Sequence, residues 1–304
     1  SRSRSRRRLP ERRVVVSGAS GLIGRALVDS LRADGYTVTR LVRHEAQAPD
    51  EVTWAPGESP LDPQVLAGAT AVVNFNGATI GRFPWTPSYK KTLVWSRIHP
   101  TQTLARALRE LGDEAPLFVS SSATGYYPPD AHGRTFDESG PRGDAFLSDL
   151  CGEWESAATA SGVRTALLRT APVVHRDGVL KPLLLLTKLG LSGPLGRGTQ
   201  VWPWISLEDE VRAIRHVIDR GITGPVNLTG PERATANDLG FALARRLNRP
   251  YVLRAPLWVV RLVLGKDAVE ALLANDTQVV PAVLLESGFT FRHPTVEDAV
   301  AAAV

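Results

Sequence analysis

From Arg12 onward the chain alternates short, β-branched apolar runs with longer stretches whose apolar positions recur at helical spacing. The short runs predict strands at Val14–Ser17, Tyr36–Val42, Ala71–Phe75, Leu117–Ser121 and Arg164–Arg169. Helical spacing covers Leu22–Ala33, Thr86–Leu111 and Ala145–Ala160. Pro100 is expected to kink or divide the second of these, since proline has no N–H and crowds the preceding turn. Strands that alternate with helices are joined by crossovers, so the pattern predicts an α/β fold with a doubly wound parallel sheet. After Arg169 the punctuation changes. Gly190, Gly193, Gly196 and Gly198 alternate with Pro182 and Pro194 across Pro172–Pro203, which reads as loops and short elements outside the sheet. A helix at Leu207–Asp219 and a strand at Val226–Leu228 resume the first pattern. From Ala234 the spacing is helical, in pieces at Thr235–Leu247, Pro256–Leu264 and Val279–Glu286. The expected division is a tail at 1–11, a main unit at 12–174, an insertion at 175–205, a return to the main unit at 206–230 and a smaller, mainly helical lobe at 231–304.

Composition fits that division. A chain of 304 residues with 43% apolar side chains can fill one large α/β unit and a small lobe, which excludes disorder as its main state. No stretch reaches the ~18 uninterrupted apolar residues of a spanning helix, because Leu183–Leu186 and Leu257–Leu264 are broken by Lys188 and Arg261. Charge is unevenly placed: residues 1–13 hold seven arginines and one acid, so the formal +5 resides in the tail and the body is near neutral. Such a tail can bind nucleic acid or acidic lipid, but it reads more simply as a solvated linker to an upstream domain. Neither a nucleic-acid nor a membrane partner is expected. The tail has no apolar segment and is not a secretory signal, and the lack of any methionine, even at position 1, fits a fragment or processed product. The single cysteine, Cys151, leaves no disulfide within the chain, as expected of a reducing, cytoplasmic setting.

Candidate chemistry begins between the first strand and the first helix, at Ser17-Gly18-Ala19-Ser20-Gly21-Leu22-Ile23-Gly24. Gly18 permits a tight turn, Gly21 lets the backbone approach a pyrophosphate, Gly24 lets the helix lie against the strand, and the helix N-terminus faces the phosphates. The second strand then ends Leu41-Val42-Arg43-His44, without the carboxylate that would receive a ribose 2′-hydroxyl. Arg43 is suited to a 2′-phosphate; the plainer alternative is an exposed arginine at a strand end.

With Asn74-Phe75-Asn76-Gly77-Ala78 and Ser120-Ser121-Ser122-Ala123-Thr124, the glycine motif resembles the extended short-chain dehydrogenase/reductases. Trp95-Ser96-Arg97, Gly125-Tyr126-Tyr127, Gly193-Pro194-Leu195-Gly196, Pro203-Trp204-Ile205 and Ser287-Gly288-Phe289-x-Phe291-x-x-Pro294 resemble more closely an atypical epimerase branch, of nucleoside-diphosphate-sugar epimerase type. The resemblance runs from about Arg13 to the end and implies a Rossmann domain binding NADP(H), with a C-terminal substrate lobe. It implies a cofactor site made by Gly18, Ser20, Gly21, Leu22, Ile23, Gly24, Arg43, Asn76, Gly77, Ala78, Arg97, Ser120, Ser121 and Val173, facing a small-molecule substrate.

In ordinary members of that superfamily a tyrosine exchanges the hydroxyl proton, a lysine four residues later lowers its pKa, and a serine polarises the reacting oxygen. Ser122 is the counterpart of the serine, unless its hydroxyl simply bonds backbone at the strand end. The tyrosine–lysine pair is missing: none of the five tyrosines is followed at that spacing by lysine, and the expected positions read Phe146 and Leu150. Tyr127, a short loop after Ser122, is the first candidate to replace it, ahead of Tyr126, Asp144, Asp149 and Glu153. Nothing nearby would lower its pKa, and a packing role is equally open. Gly193–Gly198 with Trp202 and Trp204 reads as the wall of a substrate cleft or as loop packing. Glu208, Asp209 and Glu210 read as acids complementing a helix dipole, and the histidines show no metal-ligand spacing. The expected function is an NADP-dependent oxidoreductase or epimerase acting on a small polar substrate or nucleotide sugar. The alternative is an NADPH-binding protein without turnover.

Overall fold

The computed structural model describes residues 12–82, 84–253, 258 and 275–304; the tail at 1–11 and, Trp258 aside, the expected helix Pro256–Leu264 lie outside the described residues. In chain order the strands are β1 (Arg13–Ser17), β2 (Thr37–Val42), β3 (Glu51–Thr53), β4 (Ala71–Asn74), β5 (Leu117–Ala123), β6 (Asp130–Phe136), β7 (Thr165–Thr170), β8 (Val173–Val174), β9 (Ile205–Ser206), β10 (Gly224–Leu228) and β11 (Asp276–Val279). Seven of them form one parallel sheet in the order β10-β7-β5-β4-β1-β2-β3. Val14, Val15 and Val16 are all buried, the continuous apolar run of a strand covered on both faces. The α-helices are α1 (Leu22–Ala33), α2 (Pro87–Leu111), α3 (Phe146–Thr159), α4 (Leu180–Lys188), α5 (Leu207–Arg220), α6 (Ala236–Arg246), α7 (Ala282–Glu286) and α8 (Val296–Ala303), with short 3-10 turns at Pro63–Val65, Gly112–Glu114 and Thr124–Tyr126.

The layers follow from which apolar stripe meets which strand face. Leu27 and Leu31 of α1 and Ile214 and Val217 of α5 pack with Val14, Val16 and Leu168 on one face of the sheet. Leu104 and Leu108 of α2 and Ala158 of α3 pack with Val15, Val72 and Phe118 on the other. A separate core joins Leu180 of α4, Leu239 and Leu243 of α6 and Val300 of α8 around Trp202 and Trp204. The chain also returns from this lobe: Leu284 of α7 and Phe289 sit in the core of the main sheet beside α5. Strand order reverses between β1 and β4, and it is outside the carboxyl ends of strands at such a point that open α/β sheets bind ligands.

Several elements differ from the sequence expectation. Pro100 does not divide α2, which runs unbroken past it with Leu93, Leu104 and Leu108 buried on either side. Pro172–Pro203 contains a nine-residue helix, α4, in which Pro182 is tolerated because it falls in the first turn, where N–H groups lack intrahelical partners. Val279 ends strand β11, which pairs with β6 through Gln278 opposite Thr135 and Val279 opposite Phe136, so the helix starts only at Ala282. Neither strand has an apolar period of two, which is why both escape a reading by pattern.

Candidate functional site

At the β1–α1 junction each glycine of the motif has a distinct steric role. Gly18 takes a left-handed φ of 74°, and a Cβ there would stand 2.6 Å from the Phe75 carbonyl carbon, so the turn lies against the exit of β4. Gly24 faces the Gly18 carbonyl too closely for any side chain. Gly21 is the reverse case: its backbone is ordinary, φ −73° and ψ 171°, and a Cβ would meet only the Gly18 oxygen, at 3.5 Å. It is exposed beside Ser20, and Leu22 and Ile23 follow half-buried. No side chain caps α1 and no acid stands in its first turn, so its leading amides remain donors for an incoming anion. Open space over Gly21 and uncapped amides beneath it fit the pyrophosphate of a dinucleotide.

The tip of β2 is set by what its acids already do. Arg40 donates to both carboxylate oxygens of Asp50, at 2.7 and 3.1 Å, and lies 3.1 Å from Glu51; Arg32 also bridges to Asp50. The hydrogen bond from Arg40 holds the Asp50 carboxyl below its ordinary value. Arg43, exposed just past the strand, has no side-chain partner among the described residues. A 2′-phosphate arriving here meets a planar cation that no acid among the described residues engages.

The Asn76–Ala78 segment is held from α2. Ser96 accepts the Ala78 N–H at 2.9 Å, and Arg97 donates to the Ala78 carbonyl at 3.0 Å and to the Leu93 carbonyl at 2.9 Å. Arg97 is buried, its guanidinium 5.2 Å from the Trp154 ring and against Gly77, and burial lowers its pKa. It has no acidic partner among the described residues. Asn76 turns inward, donating to Ser17 at 2.6 Å and to Asn74 at 2.9 Å, while Asn74 donates to Thr101 at 2.8 Å.

At the ends of β5 and β7 the structure places Ser122 and Tyr127 in an enclosed network. Ser122 donates to Glu155 at 2.8 Å. Glu155 accepts two further bonds from Arg169, at 2.8 and 2.9 Å, and the Arg169 guanidinium also donates to the Tyr127 hydroxyl at 3.0 Å. Burial works against the Arg169 charge, but its bonds to Glu155 outweigh that and raise its pKa. Tyr127, 1% exposed, donates to Asn227 at 2.7 Å and stacks on Phe136, and burial pushes its hydroxyl up to about 12. Cys151 lies beside Ser122, and burial lifts its thiol to about 12. Ser120 is buried with its hydroxyl unpartnered, whereas Ser121 and Val173 are half-buried. Tyr127, the first candidate for proton exchange, is thus buried between Asn227 and Arg169, and burial moves its pKa up rather than down. Ser122, 4% exposed, hydrogen-bonds Glu155 through its hydroxyl.

Two other groups take definite places. Trp202 and Trp204 belong to the lobe's core and line a small pocket there with Pro172, Val179 and Leu239, the Trp204 indole donating to the Glu232 carbonyl at 3.1 Å. Of the three acids opening α5 only Glu208 is a surface charge. Asp209 is buried and accepts the Arg292 and His293 amides, each at 2.8 Å, which ties the C-terminal Phe289–Pro294 motif to α5. Glu210 is wholly buried, accepts from Thr170 at 2.8 Å, and is lifted by burial to about 8. A concavity of about 840 Å³ runs along α2 and α3, lined by Trp95, Gln102, Arg142 and Ser156, and includes none of the residues expected at the cofactor. Among the described residues no cluster of acids, histidines or cysteines could hold a metal.

Residues 14–228 match the NAD dependent epimerase/dehydratase family. The chain belongs to that family. Residues 255–303 match a C-terminal domain of unknown function, DUF1731. The chain is 39% identical over 295 residues to an epimerase family protein of Mycobacterium leprae, covering 95% of each chain. It is 32% identical over 289 residues to one of Staphylococcus aureus, covering 92% of this chain and 94% of that protein. A human epimerase family protein solved with NADPH has 30% identity and a TM-score of 0.85, over 96% of this chain and 98% of the other. Where the superfamily resemblance puts tyrosine and lysine, Leu150 is buried with Trp85 and Leu93, and Phe146 and Ile80 pack against them.

The sequence reading did not single out Glu155, Arg169 or Asn227 as parts of the site. Arg169 had left a signal: a charged residue inside the apolar run Ala166-Leu167-Leu168-Arg169 is rarely buried without a partner.

Proposed function

We propose that this chain is an NADP(H)-dependent oxidoreductase or epimerase, acting in the cytoplasm on a small polar or nucleotide-sugar substrate that the C-terminal lobe holds over the sheet edge. The observation that carries the choice of cofactor is Arg43, exposed and without a side-chain partner among the described residues, while Arg40 and Arg32 occupy the carboxylates near it. When bound, the cofactor supplies the hydride. The α1 amides receive the pyrophosphate, Arg43 selects the 2′-phosphate, and Ser96 and Arg97 fix the segment that passes the nucleotide. Phe146, Leu150 and Trp85 form an apolar pad where the usual acid/base pair would stand. Protons are therefore exchanged with cleft water, while Tyr127 and Ser122 hold β5, β7 and α3 in register. The enclosed hydroxyls also favour a second reading, an NADPH-binding protein without turnover. A screen of carbonyl compounds and nucleotide sugars, followed by NADPH absorbance and by sugar epimer analysis, separates the two. Turnover that survives Tyr127→Phe supports the first reading, turnover lost in that variant despite a folded protein refutes the proton assignment, and a uniformly negative screen supports the second.

A further inference from the structure

Two stretches of the chain contain no acid, Gly178–Leu207 and Leu239–Lys266, and both are rich in leucine and valine with scattered lysine and arginine. The described parts of these stretches come together in space. The Ser192 carbonyl accepts the N–H groups of Val252 and Leu253, at 3.0 and 3.2 Å, and Gly193 sits so close to the Leu253 backbone that no side chain would fit. α4 buries Leu180 and Thr187 against the lobe and turns its other face outward. Leu185 is 63% exposed, and Leu186, Leu189, Leu191, Val252 and Leu253 are exposed around it. Lys181 and Lys188, four residues before and three after Leu185, are exposed on the same face.

We propose that this face docks on an anionic lipid surface, the leucines entering the boundary between headgroups and acyl chains and the lysines meeting lipid phosphates. Apolar side chains flanked by cations, on a helix too short to span, are the pattern of an element that lies in a membrane interface. The charge decides the occupant. A two-fold pairing of this face with a second copy would set Lys181 and Lys188 against their own counterparts with no acid in either stretch to relieve them, whereas the cytoplasmic leaflet offers the complementary charge. The expectation of no membrane partner is revised in this respect: the protein lies on a bilayer without crossing it.

Sedimentation of the full chain with vesicles tests this. The chain should bind vesicles of phosphatidylcholine with added phosphatidylglycerol, release as salt is raised, and ignore phosphatidylcholine alone. Leu185→Asp with Leu189→Asp should abolish binding. Lys181→Gln with Lys188→Gln should weaken it, on the order of 5-fold per cation, with unchanged melting temperature and NADPH affinity showing that the variants are folded. Absence of binding at low salt overturns the proposal. So does binding that disappears on deleting residues 1–11 but survives the leucine substitutions, which makes the arginine tail the anchor. A concentration-dependent dimer dissolved by Leu185→Asp overturns it in favour of a second copy.

Discussion

The carboxyl ends of β1 and β2 and the carboxyl ends of β5 and β7 belong to one sheet edge, yet their polar groups are in opposite states. Over β1 and β2, among the described residues, the α1 amides lack a side-chain cap and Arg43 lacks a partner. Over β5 and β7 the Ser122 and Tyr127 hydroxyls, the Arg169 guanidinium and the Glu155 carboxylate already bond one another. Donors left without partners at an open surface await a ligand, whereas a closed network of the same chemistry joins elements of the fold. The hydroxyls that resemblance nominates for catalysis bond strands and helix to one another, and under the proposed function the cofactor is received by the half with unfilled hydrogen bonds.

If the closed half is structural, breaking it should register as lost stability. Arg169→Met leaves Glu155 buried and unpaired and should cost about 3–5 kcal/mol in denaturant unfolding; a cost under about 1 kcal/mol would show that the network holds nothing. Gly21→Val addresses the open half. Its backbone angles suit a β-branched residue, so melting should be unchanged, while the side chain blocks the pyrophosphate and weakens NADPH by about 100-fold or more, the equivalent of two lost charge-assisted bonds. Retained affinity by calorimetry would make the loop a mere turn. Tyr127→Phe removes the bonds to Asn227 and Arg169 and should cost about 1–2 kcal/mol of stability with NADPH affinity intact. A pH dependence isolates Glu210. Its folded pKa of about 8 exceeds the unfolded value, so the native state keeps a proton that the unfolded chain releases, and stability is lost as pH rises through that window. Between about pH 5 and pH 8 the melting temperature of Glu210→Gln should fall less than that of the unsubstituted protein; equal slopes would place the titration elsewhere.

How much of this was legible in the sequence depends on the range of the contacts. α1 begins and ends where its spacing predicts, at Leu22 and Ala33, and the glycine turn could be read because its demands are local. The closed network could not be. Tyr127 meets Asn227 across 100 residues, and whether Ser122 faces α3 or the cleft is settled by strand register, which no local pattern specifies. Trp202 and Trp204 stayed ambiguous for a similar reason: aromatic residues beside glycines suit a cleft wall or a small core equally, and the helix that packs with them, α6, lies over thirty residues on.

The contrast between the two halves rests most directly on Arg43, because it alone assigns the open half a particular ligand. Calorimetric titration of the full chain and of Arg43→Ala with NADPH and with NADH decides it. NADPH should bind the unsubstituted chain more tightly than NADH by about 1.5–3 kcal/mol, and Arg43→Ala should erase most of that difference while leaving NADH affinity where it was. Equal affinity for the two cofactors in the unsubstituted chain, or a preference that survives Arg43→Ala, would contradict the account.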